Sequence, residues 1–286
     1  MKRIALFIFC IVTLTSCFFH KASKGVAKVS HDHKFGQVLK SKDNEFKYKM
    51  AEQYYVNKKY SFAQQLFEDL FPIMRGTERF EDMYYKVAYC YYYEKDYLNA
   101  ENYYKTFTET FPNSKKTEEC EYMRAYTYYL QSPKVELDQT NTTKAIALMQ
   151  AFISTHPSTS RQKEANNIID KCREKLELKE FKSAELYFNL GYYKASAIAF
   201  ANVSENFPDS KNADEYKLQM IKSYFKYAEQ SYEEKQVERF EKVLSECTDF
   251  NERFTDSKLL IEVNKYKIQT TNYLKNLKNE QIKKAS

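Results

Sequence analysis

Residue types that usually carry out chemistry are sparse in this 286-residue chain, and their spacing matches no catalytic arrangement. Its four glycines, at positions 25, 36, 76 and 191, are too few and too dispersed for a phosphate-binding loop. His156 directly precedes Pro157 and suits a loop end better than a catalytic role. His31 and His33 lie in a polar stretch, where we expect solvated side chains rather than metal ligands. The sequence therefore predicts no enzyme activity, no metal site and no cofactor.

Cysteine is the one reactive residue type that needs a closer look. Four cysteines lie in patterned parts of the chain, at Cys90, Cys120, Cys172 and Cys247. No two of them have the spacing of metal ligands, and we expect them to be small apolar packing residues rather than disulfide partners. Cys17 differs from these four because of the residues that precede it.

Residues 1–16 have the pattern of a targeting segment. Lys2 and Arg3 precede an apolar run at residues 4–14, which is too short for a membrane span of about 20 residues. The run ends in Leu-Thr-Ser-Cys, which resembles the bacterial lipobox. This resemblance implies cleavage before Cys17 and attachment of lipid to its thiol. An ordinary secretory signal followed by a chance cysteine is the alternative.

A lipidated Cys17 would tie the chain to a membrane. Two or three acyl chains anchor a protein stably, because each buried CH₂ contributes about 0.8 kcal/mol. An aspartate after Cys17 would resemble a signal for retention in the inner membrane, and an acidic cluster would resemble a signal for export to the surface. Neither is present. We therefore expect the anchor in the inner leaflet of the outer membrane, with the body of the protein in the periplasm. Residues 17–43 lack apolar periodicity and form the predicted tether.

The elements that would position any site are helices in a repeating pattern. Only 4 glycines and 5 prolines accompany 26 tyrosines and 21 phenylalanines, a composition that favours an all-α chain. Residues 81–114 resemble the 34-residue tetratricopeptide repeat. Its packing positions 8, 11, 20, 24 and 32 hold Ala88, Tyr91, Ala100, Tyr104 and Pro112. The alanines let two helices approach closely, and the tyrosines fill the groove between neighbouring repeats.

The same frame fits most of the chain and predicts an all-α superhelix, or solenoid, of about five tetratricopeptide-like repeats across 44–258. The repeats are expected at 44–76, 81–114, 118–160, 177–210 and 214–258, with a connecting helix at 161–176 and a capping helix at 259–286. Eight extra residues around 132–140 lengthen the loop of the third repeat. We expect Pro72 and Pro112 to end helices, Gly76 to adopt a positive φ, and Thr77, Ser114 and Asp138 or Thr140 to cap helices.

Several short sequence motifs recur along the chain and point to a protein family. Phe-Pro-Asn-Ser at 111–114 returns as Phe-Pro-Asp-Ser at 207–210 and as Phe-Thr-Asp-Ser at 254–257. With the lipobox, the insertion (Ser132, Pro133, Leu137, Asp138, Gln139) and the run Lys175-Leu176-Glu177, the chain resembles the BamD family of outer-membrane assembly lipoproteins, in its Bacteroidetes branch. The resemblance covers about 34–267. The fifth repeat departs from the pattern, and Thr255 replaces its proline.

This resemblance implies an accessory scaffold subunit of the machinery that inserts β-barrel proteins into the outer membrane. Its expected partners are the periplasmic domains of a BamA-type barrel protein, unfolded outer-membrane proteins, and the membrane through the lipid anchor. A net charge of +6 without a basic block argues against nucleic acid as a partner. Two other readings stay open: a repeat scaffold for cell division or peptidoglycan organisation, and a glycan-capture lipoprotein.

Positions 5, 9 and 12 of each first helix share one face, on the concave side of a repeat stack. In the first three predicted repeats these positions hold one acid, Glu52, and eight tyrosines: Tyr48, Tyr55, Tyr85, Tyr89, Tyr92, Tyr122, Tyr126 and Tyr129. Tyrosine combines a rigid apolar ring with a hydroxyl, which suits an extended peptide with aromatic side chains. The alternative is that these rings pack one repeat against the next.

Overall fold

A computed structural model describes the backbone of residues 35–285 and the side chains of residues 35–280, and all regular structure in that range is helical. After a short helical stretch at residues 35–39, the helices are α1 (Asn44–Val56), α2 (Tyr60–Met74), α3 (Glu78–Tyr93), α4 (Tyr97–Thr110), α5 (Thr117–Leu130), α6 (Thr140–Thr155), α7 (Gln162–Asn189), α8 (Tyr193–Asn206), α9 (Ala213–Glu229), α10 (Glu233–Arg253) and α11 (Leu260–Ala285). The predicted all-α class is confirmed. None of these helices is long and apolar enough to cross a membrane.

The chain forms two compact units, one ending at Leu130 and the other beginning at Gln131. In the first unit α1 packs on α2, α2 on α3, α3 on α4 and α4 on α5. The alanines at positions 8 and 20 of the first two repeats, where close helix contacts are expected, have no exposed surface: Ala51, Ala63, Ala88 and Ala100. The larger side chains of Phe67 and Tyr104 are also fully buried, and both lie at position 24 of their repeats.

A period of 34 residues is directly visible in the polar contacts between the first helices. Arg79 pairs with Glu45 at 2.8 Å, Lys86 with Glu52 at 2.6 Å and Lys116 with Asp82 at 2.6 Å. Each pair joins residues 34 positions apart. Ion pairs at or near the surface contribute only about 0–1 kcal/mol each, so we infer that the main consequence of these pairs is alignment of one repeat with the next.

One helix end differs from the sequence prediction. Pro72 does not end α2, which continues to Met74. A proline near a helix end removes only one backbone donor, and the helix continues past it until the Arg75 N–H donates to the Phe71 carbonyl at 3.1 Å as the carboxy-terminal cap. The helix ends two residues before Gly76, whose φ of +88° is the predicted left-handed conformation.

The predicted caps are only partly realised. Thr77 directly precedes α3, but its hydroxyl donates back to the Met74 carbonyl at 2.7 Å and accepts nothing from the helix. The Ser114 hydroxyl accepts the Lys116 N–H at 3.0 Å ahead of α5. The Asp138 carboxylate accepts the Thr140 N–H at 2.9 Å ahead of α6. The last two side chains therefore bind backbone donors at the start of a helix.

In the second unit, α6 packs on α7, and each later helix packs on its neighbour. Helix α7 is 28 residues long and joins the predicted connecting helix to the first helix of the fourth repeat. No glycine or proline interrupts this stretch, so nothing breaks the helix between them. Its amino-terminal half buries Ala165, Ile168, Ile169 and Cys172.

The eight-residue insertion before α6 is a folded loop held by lysines of α7. The Lys175 ammonium donates to the Ser132 hydroxyl at 2.6 Å and to the Pro133 carbonyl at 3.1 Å. Lys179 donates to the Leu137 carbonyl at 2.7 Å. The buried Gln139 side chain donates to the Lys134 carbonyl at 2.8 Å from within the loop. These contacts satisfy carbonyls that no helix or strand could pair.

A buried charge network joins α9 to α10. Lys217, only 6% exposed, pairs with Glu246 and Asp249, and Lys242 also pairs with Glu246 at 2.5 Å. Burial alone would raise the pKa of Glu246, but the hydrogen bonds and charges of the two lysines outweigh it and hold the pKa below its usual value of 4.5. The network therefore requires an ionised Glu246.

Replacing Lys217 with Met should lower the free energy of unfolding at pH 7 by roughly 3 kcal/mol, because it leaves a buried carboxylate short of a partner. A lowered native pKa gives stability that is complete above the unfolded pKa near 4.5 and is lost as the pH falls through the native pKa. The gap between wild type and Lys217→Met should thus narrow between pH 6 and pH 3 in urea unfolding. Lys235→Met, at an exposed pair with Glu238, is the control and should change little. A gap independent of pH would contradict this account.

The fully buried Tyr104 hydroxyl has no hydrogen-bond partner within the part of the chain that the structure describes. Tyr104→Phe should therefore raise the free energy of unfolding by about 1–2 kcal/mol, because it removes an unsatisfied polar group. The control Tyr91→Phe should lower it by about 1–2 kcal/mol, since the Tyr91 hydroxyl donates to Glu68 at 2.8 Å. Urea unfolding measures both, and a less stable Tyr104→Phe protein would show that the hydroxyl is satisfied.

Candidate peptide-binding groove

The eight predicted tyrosines lie on α1, α3 and α5 of the first unit, and we call them the tyrosine face. Tyr48 and Tyr55 belong to α1. Three belong to α3 and three to α5, namely Tyr85, Tyr89, Tyr92, Tyr122, Tyr126 and Tyr129. Tyr89 and Tyr122 are buried, at 9% and 2% exposure, and the other six are half-buried. The six half-buried tyrosines are therefore packed along much of their surface and reach solvent along the remainder.

Helices α3 and α5 meet through one carboxylate and one pair of rings. The hydroxyls of Tyr85 and Tyr89 donate to the two oxygens of Glu119, at 2.8 and 2.7 Å. The rings of Tyr92 and Tyr126 lie 6.4 Å apart between centroids. Burial, followed by the hydrogen bond to Glu119, raises the pKa of Tyr85 above its usual value of 10, so the phenol stays protonated and continues to donate.

Cations cover the outer parts of the face. The Arg79 guanidinium lies 4.8 Å from the Tyr48 ring centroid, and the Lys116 ammonium lies 4.6 Å from that of Tyr85. Lys86 lies 5.8 Å from the Tyr55 ring centroid. Each of these cations also binds an acid of the preceding repeat. The face therefore presents aromatic rings among balanced charges, not a field of one sign.

These contacts change what the tyrosines can offer a ligand. Tyr85 and Tyr89 direct their hydroxyl donors to Glu119, so peptide backbone would have to be met by other groups. Rings of Tyr92, Tyr126 and Tyr129 form a continuous partly exposed row, since Tyr126 and Tyr129 lie 5.8 Å apart. The surface available to a ligand is thus mainly aromatic. It suits apolar and aromatic side chains of an extended peptide.

A second carboxylate shared between two tyrosine hydroxyls is present in the first unit, and no sequence pattern predicts it. The Glu68 carboxylate of α2 accepts hydrogen bonds from the hydroxyl of Tyr91 at 2.8 Å and from that of Tyr103 at 2.5 Å. The rings of Tyr91 and Tyr103 are stacked at 5.1 Å. The separations from Glu68, 23 and 35 residues, place these partners in the next repeat. Carboxylates shared between two phenols thus recur in the first unit, as links between repeats.

The other residues that the sequence singled out have no visible reactive arrangement. The four patterned cysteines are buried and unbridged, and burial raises the pKa of Cys90 to about 12 and that of Cys247 to about 11. Their thiols are therefore poor nucleophiles. Within residues 35–280, no group of histidines, cysteines and acids is arranged to hold a metal ion. Cys17, His31 and His33 lie outside the described residues.

Solved structures offer only distant similarity. The TPR2AB domain of yeast Sti1, in a complex described as pHSP90, is 9% identical with a TM-score of 0.39, covering 80% of this chain and 98% of that one. A kinesin light chain structure from Podospora anserina, described as nearly identical TPR-like repeats, is 12% identical with a TM-score of 0.31, covering 74% of this chain and 95% of that one. At these TM-scores neither similarity carries an argument.

Sequence comparison gives a firmer result. No curated protein matches the chain. The family model YfiO, described as outer membrane lipoprotein, matches residues 40–239, which is more than half of the chain and includes α1 to α9. The chain therefore belongs to the YfiO family of outer membrane lipoproteins.

Proposed function

We propose that this protein is a lipid-anchored scaffold subunit of the machinery that assembles β-barrel proteins in the outer membrane. Membership of the outer membrane lipoprotein family carries the proposal. The lipobox before Cys17 supports an anchor there, and the phrases of the Bacteroidetes branch support a BamD-type protein from that group. We place the helical body on the periplasmic side, where it acts by binding proteins and not as an enzyme.

The tyrosine face is the proposed site for unfolded outer-membrane proteins. Half-buried aromatic rings on three helices give a wide contact surface at low entropic cost, because packing already fixes the rings. Strands of a barrel protein alternate apolar and polar side chains, so an extended strand presents its apolar and aromatic side chains on one face. Repeat packing and ligand contact are compatible roles for this face, since six of its eight tyrosines are only half-buried.

A BamA-type barrel protein is the second proposed partner, bound through its periplasmic domains. The family resemblance points to the carboxy-terminal repeats for this contact. The two other readings, a scaffold for cell division or peptidoglycan organisation and a glycan-capture lipoprotein, predict different partners. Affinity capture therefore distinguishes all three.

Substituting both Tyr92 and Tyr126 with Ala should weaken binding of a ten-residue peptide of alternating apolar and polar residues that ends in phenylalanine. We expect at least a tenfold loss, because two central aromatic anchors each contribute about 1 kcal/mol or more. Fluorescence anisotropy with the full chain in detergent measures affinity, and circular dichroism checks helicity. The paired Phe variant keeps the rings and should bind within threefold of wild type.

Tyr232→Ala is the matched control, because this tyrosine is 88% exposed and lies in the second unit. It should bind the peptide as wild type does. Unchanged affinity of the double Ala variant with intact helicity would contradict the groove and leave the tyrosine face with packing alone.

Replacing Cys17 with Ser should move the protein from the membrane fraction to the soluble fraction, since the thioether cannot form on a hydroxyl. Capture through the wild-type protein from detergent-solubilised envelopes should recover a BamA-type barrel protein. Recovery of division proteins or a sugar transporter in its place would contradict the assembly function. A Cys17→Ser protein that stays in the membrane fraction would show that the anchor lies elsewhere.

A further inference from the structure

A cavity of about 640 Å³ lies between α9 and α11 in the second unit. Three aromatic residues line it: Phe225, Tyr266 and Tyr273. Phe225 meets Tyr266 edge to face at 5.1 Å, and Tyr273 stacks almost parallel on Phe240 at 4.9 Å. The rings are therefore fixed before any ligand arrives. Phe225 also holds position 12 of the fifth predicted repeat, the face that the sequence frame assigns to ligands.

Three side-chain amides line the same cavity: Gln269, Asn272 and Asn276 of α11. Among the described residues none of them has a hydrogen-bond partner, and all three are exposed. Asparagine inside a helix is about 0.6 kcal/mol less favourable than alanine. Helix stability therefore does not explain two asparagines one turn apart that face a cavity.

An amide group both donates and accepts, as a peptide unit does. With a rise of about 1.5 Å per residue, Asn272 and Asn276 are offset by about 6 Å along α11. An extended peptide presents its N–H and C=O groups to the same side every second residue, about 6.7 Å apart. The two asparagines can therefore pair with alternate residues of one extended chain.

The remaining lining residues are an ion pair. Lys226 and Glu229 of α9 lie 2.8 Å apart, and the Tyr273 hydroxyl lies 3.4 Å from Glu229. Their charges cancel, so the cavity does not select a ligand of either sign. A neutral main chain with apolar side chains matches this wall better than a charged ligand does.

We propose that this cavity binds an extended segment of a partner polypeptide through its main chain. Asn272 and Asn276 pair with peptide units of alternate residues, and the aromatic rings contact the apolar side chains between them. Such recognition tolerates many sequences, because backbone bonds supply the affinity. The proposal does not depend on the barrel-assembly function or on the tyrosine face.

A blocked peptide of alternating threonine and valine tests the proposal against the full chain in detergent, by isothermal titration calorimetry. Two N-methylated versions remove the N–H donors of either all threonines or all valines, that is, from one side of the extended chain at a time. One version should bind at least tenfold more weakly than the parent, and the other should bind within threefold. Equal affinities of all three peptides, or no binding of the parent at millimolar concentration, would overturn the proposal.

Variants of the protein locate the site. Asn272→Leu with Asn276→Leu should reduce binding at least tenfold while leaving the melting temperature equal or higher, because leucine favours the helix. Asn279→Leu makes the same change on the same helix at an exposed position outside the cavity, and should bind as wild type does. Unchanged affinity of the double variant would overturn the proposal. Saturable binding of chitotetraose that competes with the peptide would also overturn it, in favour of a glycan site.

Discussion

The close approach of two helices at alanine is the contact on which the rest of the first unit depends. Ala51 and Ala63 hold positions 8 and 20 of the first predicted repeat, Ala88 and Ala100 hold the same positions of the second, and all four lack exposed surface. A larger side chain at these points would push the helices apart, since protein interiors leave no room for an added methylene. In the fourth predicted repeat, which lies in the second unit, position 20 holds Ser196 and position 8 holds Ala184. Ser196 is buried, and its hydroxyl donates to the Ala184 carbonyl at 2.9 Å.

Fixed helix spacing explains why polar contacts can recur at fixed sequence distances. Once each pair has the same thickness, a residue in one first helix meets the residue 34 positions later in the next, as Glu52 meets Lys86. The same spacing brings Tyr85 to Glu119. The tyrosine face is thus a consequence of repeat geometry. Its proposed function requires only that the half-buried rings, such as those of Tyr92 and Tyr126, stay partly accessible.

Local pattern and composition were enough to predict much of the fold. The all-α class follows from many helix formers and few breakers, and the position of Gly76 between two helices follows from its freedom at positive φ. The prediction that Pro72 ends α2 is wrong, because a proline weakens a helix without always ending it when the following backbone hydrogen bonds can form. The sequence does not predict that α7 runs through the boundary at residues 176–177 without a break or a turn. A boundary that contains no glycine or proline gives no local signal of whether the helix ends there.

The candidate sites, too, are predictable from the sequence only in part. Eight tyrosines at helical spacing identified the face, whereas the shared carboxylates of Glu68 and Glu119 depend on which helices become neighbours. Exposed amides at 269, 272 and 276 look like ordinary solvated residues in the sequence. Only the packing of α11 beside α9 places them in one cavity with Phe225. Tertiary proximity of that kind leaves no trace in local periodicity.

The central claim is that alanine contacts set the spacing of the whole first unit. Native-state hydrogen exchange of an Ala100→Leu protein tests it, because one oversized residue between α3 and α4 should cost about 1–3 kcal/mol. The account predicts that backbone amides of α1 to α5 lose protection together, while the exposed neighbour substitution Asn102→Leu leaves them unchanged. Loss of protection confined to the turn around residue 100, with the other helices unaffected, would contradict it.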